Sequence, residues 1–454
     1  MTLQAAGGAL EDLRQGRSNL EDKVARILEA ANKQGADAAE VSVSRSQGLG
    51  VTVRRGEVET VELTRDQGFG INVYLGHCKG SASTSDSSLA AIEATVAKAL
   101  NIARFTAEDP AAGLAEPSLM PKGGLPDLDL FHPWELDVPA ATELARRCEA
   151  AALAVDSRIG NTEGASTNSG QMCRAYGNSH GFIGSEVATR HGLSVSVIAG
   201  ADSAMQRDYA YTVDRVPAML EVAESVGRRA GERALARLGA RPVPTTRVPV
   251  MFGHDVSPGL LGHFLAAISG GSLYRRASFL LDSLGERLFP ERVQIEEQPL
   301  LPRALGSAAF DGDGVATRAK VLVRAGVLET YLLSAYSARR LGMTTTGNAG
   351  GVHNLRISDD GLDFDAMLAR LGRGLLVTEL MGQGVNGVTG DYSRGAAGFW
   401  VEDGMLAFPV QEVTIAGNLR EMFARIDAIG SDAERPGNIR CGSMLIDGMT
   451  VSGA

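Results

Sequence analysis

One stretch, residues 248–284, constrains the fold of this chain more than any other. It reads VPVMFGHDVSPGLLGHFLAAISGGSLYRRASFLLDSL. A short apolar β-run, Val248 to Phe252, leads through a turn into a segment with helical character, Ser257 to Ser269. Ser257 is placed to cap that helix, Pro258 suits its first position, and the double glycine that follows ends it. The stretch therefore predicts a strand followed at once by a helix.

Histidines at the head of this helix and within it raise the question of a hydrolytic metal site. Zinc-protease helices carry histidines at positions i and i+4 with an adjacent glutamate, so that both rings project from one face. His254 and His263 are nine positions apart and would project roughly 180° apart on a helix. Residues 257–281 contain no Asp or Glu that could serve as a general base. The spacing therefore argues against a metal site on this helix.

Several long strings in the second half of the chain resemble a known family. They read GLLGHFLAAISGGSLYRRASFLLDSLG, LLSAYSARRLGM, GNAGGVHNLRI, VTELMGQGVNGVTGDYSRGAAGFWVEDG and IRCGSMLIDGMTVSGA. Together they cover most of residues 248–454 and are similar to the TldD/PmbA family, in particular to its PmbA branch, which is also called TldE. The first half resembles the family in length and in strand-helix order.

The resemblance carries an expectation about zinc. In that family the TldD-type subunit has an H-E-x-x-x-H zinc helix, and a cysteine near its C-terminus is thought to complete the site. Counted back from the shared arginines 275–276, the two ligand positions fall on Gly262 and Ala267, and the catalytic glutamate position falls on His263. Glycine and alanine cannot ligate zinc, and Cys441, which matches the family's cysteine, cannot hold a tetrahedral metal alone. The resemblance implies a non-catalytic subunit without a cofactor, with zinc in a TldD-type partner.

The length of 454 residues predicts two domains, because it exceeds what one hydrophobic core normally organises. The segment GARPVPTT, residues 239–246, is rich in proline and small residues and is the expected boundary. We predict an α+β fold, with an N-terminal domain of antiparallel strands and long helices over residues 1–240 and a glycine-rich, β-dominated domain over residues 247–454. The resemblance implies a heterodimer with a TldD-type subunit, or a homodimer, through the C-terminal domain, and a cleft that admits unfolded or extended peptide.

Hydrophobic periodicity predicts that one succession of elements occurs twice in the first half of the chain: a helix, then antiparallel strands, then a second helix. The predicted helices are Leu20–Gln34, a helix from Ser85 or Asp86 to Phe105, Pro139–Val155 and Pro217–Leu238. The predicted strands are Ala39–Arg45, Val51–Arg54, Val58–Thr64, Phe69–Leu75, His77–Ser83, Gly160–Asn168, Met172–Asn178, Gly181–Ala199 and Met205–Val213. The proline-rich segment Thr106–Trp134 between the two sets is predicted to be an extended crossover.

Two glycine-rich loops in the second half are candidate parts of a peptide pocket. Residues 382–387, GQGVNG, match the G-x-G-x-x-G pattern, but no helix can open at the third glycine, which argues against a dinucleotide site. Such a loop lets backbone approach a ligand, a peptide or a partner chain. Asp391 and Arg394 either hold this loop internally or line a pocket, and His353 with Asn354 is either a structural pair or part of a pocket. The candidate pocket residues are His263, His353, Asn354, Asp391, Arg394 and Cys441.

Two alternatives to the subunit hypothesis remain open. The chain could be a non-enzymatic binding or regulatory protein that acts on DNA gyrase or an antitoxin, functions with which family members are linked. It could also be a hydrolase in its own right, with an unrecognised site built from His254, Asp255, His263 or Cys441. A cysteine nucleophile would need a nearby base and an electropositive setting.

The composition restricts the expected binding partners and the expected cellular compartment. A formal net charge of -10 and a pI near 5.4 argue against direct nucleic-acid binding. The four cysteines make no CxxC pair and indicate reduced thiols, while the N-terminus lacks the features of a secretory signal. No apolar run approaches the roughly 18 residues needed to cross a bilayer. We therefore expect a cytoplasmic protein without a membrane partner.

Overall fold

The structure, a computed structural model, describes residues 13–433 and 437–453. The predicted α+β fold is confirmed, and the chain divides into two compact units. The first unit holds the chain as far as Ala199, Arg207–Ala234 and Pro302–Thr317, and the second holds Gly200–Gln206, Leu235–Leu301 and the residues from Arg318 onward. The predicted domain boundary at residues 239–246 stays a prediction, because it refers to domains that fold independently. No described helix is long and apolar enough to span a membrane.

The first unit is built on a six-stranded sheet. Its strands are β1 (Ala38–Arg54), β2 (Glu57–Leu75), β3 (Cys78–Thr84), β4 (Asn161–Asn178), β5 (Ile183–Ala199) and β6 (Gln206–Asp214). They lie in the order β3-β2-β1-β4-β5-β6, and the pairings among β1 to β5 are antiparallel. The antiparallel sheet expected in the N-terminal half is therefore present.

Two strands of this sheet are longer than the alternation of hydrophobic and polar residues predicts. Residues 39–45 and 51–54 belong to one strand, as do residues 58–64 and 69–75. The glycines between these runs, such as Gly48 and Gly50, stay within the strand because pairing on both sides of β1 holds the backbone extended. The propensity of glycine to break strands is outweighed here by the ladder on either side.

Helices pack against this sheet and against one another. They are α1 (Arg17–Lys33), α2 (Leu89–Phe105), α3 (Val138–Leu153) and α4 (Ala223–Ala236). Val24 of α1 and Val96 of α2 are fully buried in one core with Val41 of the sheet. The fourth helix starts later than predicted, because a 3-10 turn, Pro217–Met219, and an extended Leu220 precede it. The crossover over residues 106–134 contains only a 3-10 turn, Pro117–Leu119, as expected.

The second unit contains eleven described strands and five described helices. The strands are β7 (Thr246–Phe252), β8 (Ile295–Glu297), β9 (Lys320–Arg324), β10 (Val327–Leu328), β11 (Leu355–Ile357), β12 (Gly374–Met381), β13 (Asp391–Glu402), β14 (Met405–Asn418), β15 (Ile426–Ile429), β16 (Ile439–Arg440) and β17 (Met444–Ser452). The helices are α5 (Ser257–Ala267), α6 (Gly270–Tyr274), α7 (Ala335–Leu341), α8 (Phe364–Leu371) and α9 (Leu419–Ala424).

Two sheets organise these strands. One has the order β10-β9-β8-β11-β16, and the other has the order β14-β13-β12-β7-β17-β15. In the second sheet the end of β17 also pairs with β14, so β14, β13, β12, β7 and β17 form a closed ring. Closure removes the free edges that an open sheet of this size would expose.

Helix α5 follows β7 directly and is buried along one side. Leu260, Leu261 and Phe264 lie in the main core, where the Phe264 ring packs edge-on against Phe289 at a centroid distance of 5.1 Å. On the other side of α5, a Cβ added at Gly262 would meet nothing within 4 Å. The predicted cap was wrong: Val256 is the N-cap residue, and the Ser257 hydroxyl donates instead to the carbonyl of Gly442 at 2.7 Å.

Candidate active-site region of the second unit

The head of α5 is tied to the C-terminal segment by a buried carboxylate. His254 Nδ1 lies 3.6 Å from Asp432 Oδ2, and His254 Nε2 lies 3.6 Å from Asp255 Oδ1. Asp432 also accepts hydrogen bonds from the backbone N–H of Ser443 at 2.7 Å and from its hydroxyl at 2.6 Å. Burial opposes ionisation, but the neighbouring His254 ring and the hydrogen bonds from Ser443 keep the pKa of Asp432 below its ordinary value. Asp432 is therefore an ionised anchor at this point.

Cys441 lies beside this anchor in a setting unsuited to nucleophilic catalysis. Its thiol is buried and donates to the carbonyl of Gly442, with Sγ 3.2 Å from the oxygen. Burial raises the pKa of Cys441 to about 12, and the negative charge of Asp432 acts in the same direction. The thiolate is the nucleophilic form of cysteine. The thiol stays protonated at neutral pH, which argues against a Cys-His hydrolase.

His263 and Arg394 come together around a buried tyrosine. The rings of His263 and Tyr392 meet edge to face, with centroids 5.9 Å apart. Tyr392 and Arg394 are two positions apart on β13 and therefore project from the same face of the strand. Burial lowers the pKa of His263, and the charge of Arg394 lowers it further. Burial raises the pKa of Tyr392 to about 12, against the opposing effect of Arg394. His263 is consequently a neutral imidazole at pH 7.

The Asp391 side chain bonds to Thr389, just after the GQGVNG loop, and contacts Asn418. Its Oδ2 accepts a hydrogen bond from the Thr389 hydroxyl at 2.6 Å, and its Oδ1 lies 3.4 Å from Nδ2 of Asn418. The loop glycine Gly384 packs so closely that an added Cβ would lie 2.0 Å from the carbonyl oxygen of Ser393. This glycine is therefore explained by the close packing of the loop against β13.

His353 belongs to a buried ionic network centred on Glu297. Oε1 of Glu297, which is fully buried, accepts hydrogen bonds from the backbone N–H of His353 at 2.7 Å and from its ring Nδ1 at 2.8 Å. Lys320 Nζ lies 2.9 Å from the other oxygen. Burial alone would raise the pKa of Glu297, but the bonds from His353 and the charge of Lys320 hold it at about 2. The carboxylate is therefore ionised throughout the physiological range.

This network fixes the loop that precedes His353. Asn348 donates to Glu297 Oε1 at 2.9 Å and to the carbonyl of Gly351 at 3.1 Å, and it accepts from Lys320 Nζ at 2.8 Å. Gly350 and Gly351 have φ values of 103° and 112°, which other residues rarely adopt. Asn354 is held separately, since its Nδ2 donates to the carbonyl of Gln298 at 2.8 Å. The loop geometry thus depends on glycine and on the ion network.

The loop and the end of α5 line an open cavity of about 420 Å³. One wall comes from the C-terminal end of α5 and the start of α6, including Ala266 and Gly271. The other wall is the loop from Asn348 to Val352. Most of the lining is glycine, alanine and serine, so a backbone or a small side chain can approach closely.

Sequence reasoning found some of these residues and missed others. None of the other five candidates is a hydrogen-bond partner of Cys441. The structure groups His263 with Arg394, whereas His353 and Asn354 bond to different partners. It also assigns central positions to residues not singled out beforehand: Tyr392, Glu297, Lys320, Asn348 and Asp432. Among these, only Asn348 lies in the glycine-rich loop 347–351 that precedes His353 and Asn354, and it could have been found from that loop.

The residues on α5 do not fit a zinc site of the H-E-x-x-x-H kind. Gly262 and Ala267 offer no side-chain donor atoms, and His263 is packed on Tyr392. In residues 13–433 and 437–453, no three His, Cys, Asp or Glu side chains lie close enough together to hold a metal ion.

Comparisons with known proteins agree on one family. Models of the PmbA/TldA metallopeptidase family match residues 39–103 as domain 1, residues 131–238 as the central domain and residues 245–453 as the C-terminal domain. The chain belongs to the PmbA/TldD metallopeptidase family. The resemblance carried by the strings of the second half is thus confirmed and extends into the first half.

Several relatives are similar to this chain over nearly their whole length. Metalloprotease PmbA of Escherichia coli O157:H7 is 50% identical over 437 residues, which are 96% of this chain and 97% of the relative. A crystal structure from Bacteroides thetaiotaomicron, described as a candidate modulator of DNA gyrase, is 29% identical with a TM-score of 0.91 and covers 96% of this chain and 99% of its own. The structure of TldE from Thermococcus kodakarensis, at 20% identity and a TM-score of 0.82, shares the fold over 95% of this chain and 100% of its own.

Proposed function

We propose that this chain is the PmbA/TldE-type subunit of a two-component metalloprotease, and that the zinc, its bound water and the general base belong to a TldD-type partner. The observation that carries the proposal is the composition of α5. The positions that the family resemblance assigns to zinc ligands hold Gly262 and Ala267, neither of which can coordinate a metal.

The contribution of this subunit would be to shape the chamber that receives an extended peptide. The open side of α5, with Gly262 and the exposed Ala266, leaves room for another chain to approach. The cavity beside Ala266 is lined by small residues and bounded by a loop that is hydrogen-bonded to the Glu297 network. The four free thiols suit the reducing cytoplasm, where we place this activity.

Zinc content and reconstituted cleavage test the subunit role together. We expect elemental analysis of the purified chain, dialysed without chelator, to give close to zero zinc per chain. Cleavage of an unstructured peptide should require both this chain and a TldD-type subunit from the same source. Ala266→Trp, which would narrow the cavity, should reduce cleavage by the mixture, while Glu329→Gln on an exposed strand end should not. Zinc near one per chain, or cleavage by this chain alone, would contradict the proposal.

A second candidate function is binding without cleavage, as a homodimer that acts on DNA gyrase or an antitoxin. It is favoured by the B. thetaiotaomicron relative, whose description names gyrase modulation. The net charge of -10 makes a protein the expected target in that case, because DNA would repel an acidic chain. Retention of purified gyrase subunits by the immobilised chain, together with a change in supercoiling when no TldD-type subunit is present, would support this candidate over the first.

A further inference from the structure

Strand β2 continues well beyond the strand that covers its outer edge. It contains 19 residues, Glu57–Leu75, but β3 pairs only with Phe69–Leu75. Residues 57–68 pair with β1 on their inner side. Within the described chain, no strand pairs with the outer side of residues 57–68, which we name the free edge. Its outward N–H and C=O groups are therefore available to a further strand.

The two faces of the free edge differ in chemistry. Val61 and Leu63 lie opposite Val51 and Leu49 of β1, both of which are buried, so they continue the apolar side of the sheet to its rim. Leu63 is 48% exposed, and Val58, near the start of the edge, is 42% exposed. An incoming strand could cover this apolar row, because side chains of paired strands on one face contact each other.

The opposite face of the edge is acidic. Glu62 and Asp66 lie opposite Gly50 and Ser46, whose small side chains leave the two carboxylates exposed. Residues 57–68 contain four acidic residues, and Arg65 is their single base. A basic side chain on an added strand would be attracted to this row, whereas an acidic one would be repelled.

We propose that the free edge captures an extended peptide in which basic and apolar residues alternate, and that the peptide joins the sheet as an added strand. Its apolar residues cover Leu63 and its neighbours, and its basic residues face Glu62 and Asp66. A second copy of the chain is a poorer occupant, because two such edges would bring two acidic rows together. This inference rests on the strand edge and does not depend on the proposed subunit role.

Peptide binding measured by fluorescence anisotropy tests the charge requirement. The probe is a labelled eight-residue peptide that alternates lysine and valine, and its control has glutamate in place of lysine. We expect saturable binding of the lysine peptide that weakens as salt is raised, and at least tenfold weaker binding of the glutamate peptide. Equal binding of the two peptides, or no binding of the lysine peptide, would overturn the proposal.

Paired charge-reversal variants locate the site. Glu62→Lys with Asp66→Lys should weaken binding of the lysine peptide at least tenfold. Glu93→Lys with Glu108→Lys changes two exposed acids elsewhere on the first unit by the same charge and should leave binding unchanged. Both variants should unfold at the wild-type temperature, since all four side chains are exposed. Equal losses in the two variants would show long-range attraction only and would overturn the assignment to the edge.

Hydrogen exchange read by mass spectrometry tests the added strand itself. Backbone amides in residues 57–68 that face outward should exchange more slowly when the lysine peptide is bound, while those in residues 69–75, already covered by β3, should be unaffected. Sedimentation tests whether a second copy of the chain occupies the edge instead. In that case the free chain would form a dimer that Leu63→Asp abolishes, and we expect no such dimer. Protection confined to another segment, or such a dimer, would refute peptide capture at this edge.

Discussion

The ring Nδ1 of His353 lies 2.8 Å from Oε1 of Glu297, on a carboxylate that is fully buried and that also faces Lys320. His353, which the sequence analysis selected as a candidate pocket residue, is thus part of an internal ion network. Through Asn348, the same network holds the loop that forms one wall of the cavity beside α5. The network therefore connects the stability of the second unit to the shape of its cavity.

Replacing Glu297 by glutamine should destabilise the second unit by about 3 kcal/mol, because it leaves the largely buried Lys320 ammonium without its counter-charge. Urea unfolding followed by tryptophan fluorescence in a Trp134→Phe background would report this loss through Trp400, the tryptophan of the second unit. The matched control is Glu329→Gln, which removes the partner of Arg324 in an exposed pair and should have a much smaller effect. Equal effects of the two variants would contradict a buried role for Glu297.

The contribution of Glu297 should also depend on pH in a defined direction. Its pKa is about 2 in the folded protein, below the ordinary value of 4.5. A lowered carboxylate pKa stabilises the fold fully above the unfolded value, and the effect is lost as the pH falls towards the folded value. The difference in unfolding free energy between wild type and Glu297→Gln should therefore shrink between pH 5 and pH 2, by up to about 3 kcal/mol. A difference that stays constant over this range would refute the assignment.

The fold was largely predictable because hydrophobic periodicity indicates its helices and strands, and chain length indicates its overall size. The alternation of Ala39–Arg45 and the helical spacing of Leu20–Gln34 both correspond to observed elements. Hydrophobic periodicity could not show that β1 continues through Gly48 and Gly50, because this continuity depends on pairing with two other strands. One of them, β2, follows β1 after a turn, and the other, β4, is distant in sequence. The closure of the second sheet through β17 is likewise a long-range pairing.

The site was less predictable, since a buried network is defined by partners and not by motifs. His353 and Asn354 could be selected from their loop, but Glu297 is one of two adjacent glutamates on a short strand, and nothing local distinguishes it from Glu296. The alternation of β8 decides the matter, because it buries Glu297 and leaves Glu296 partly exposed. Tyr392 was missed for a similar reason: its contact with His263 joins α5 to a strand more than a hundred residues later.

Removing the charge of Arg394 should raise the pKa of His263. Burial is the larger cause of the low pKa and would persist in Arg394→Gln, so the value should remain below the ordinary 6.5. NMR titration of the His263 ring, assigned through a His263→Gln variant, measures it directly. Arg373→Gln, which removes an exposed arginine elsewhere in the second unit, serves as the control and should leave the titration unchanged. An unaltered pKa in Arg394→Gln would show that Arg394 does not act on the ring.

Gly262→Ala should stabilise the isolated chain by up to about 1 kcal/mol, because alanine favours the helix and its Cβ would meet nothing within 4 Å. Gly270→Ala is the matched contrast: its Cβ would lie 2.2 Å from the Ser337 hydroxyl oxygen, and we expect a loss of about 1–3 kcal/mol. Thermal and urea unfolding would measure both changes. If the open side of α5 faces a peptide or a partner subunit, Gly262→Ala should also weaken cleavage by the reconstituted pair while raising stability. Full activity in the stabilised variant would show that close approach to this side of α5 is not required.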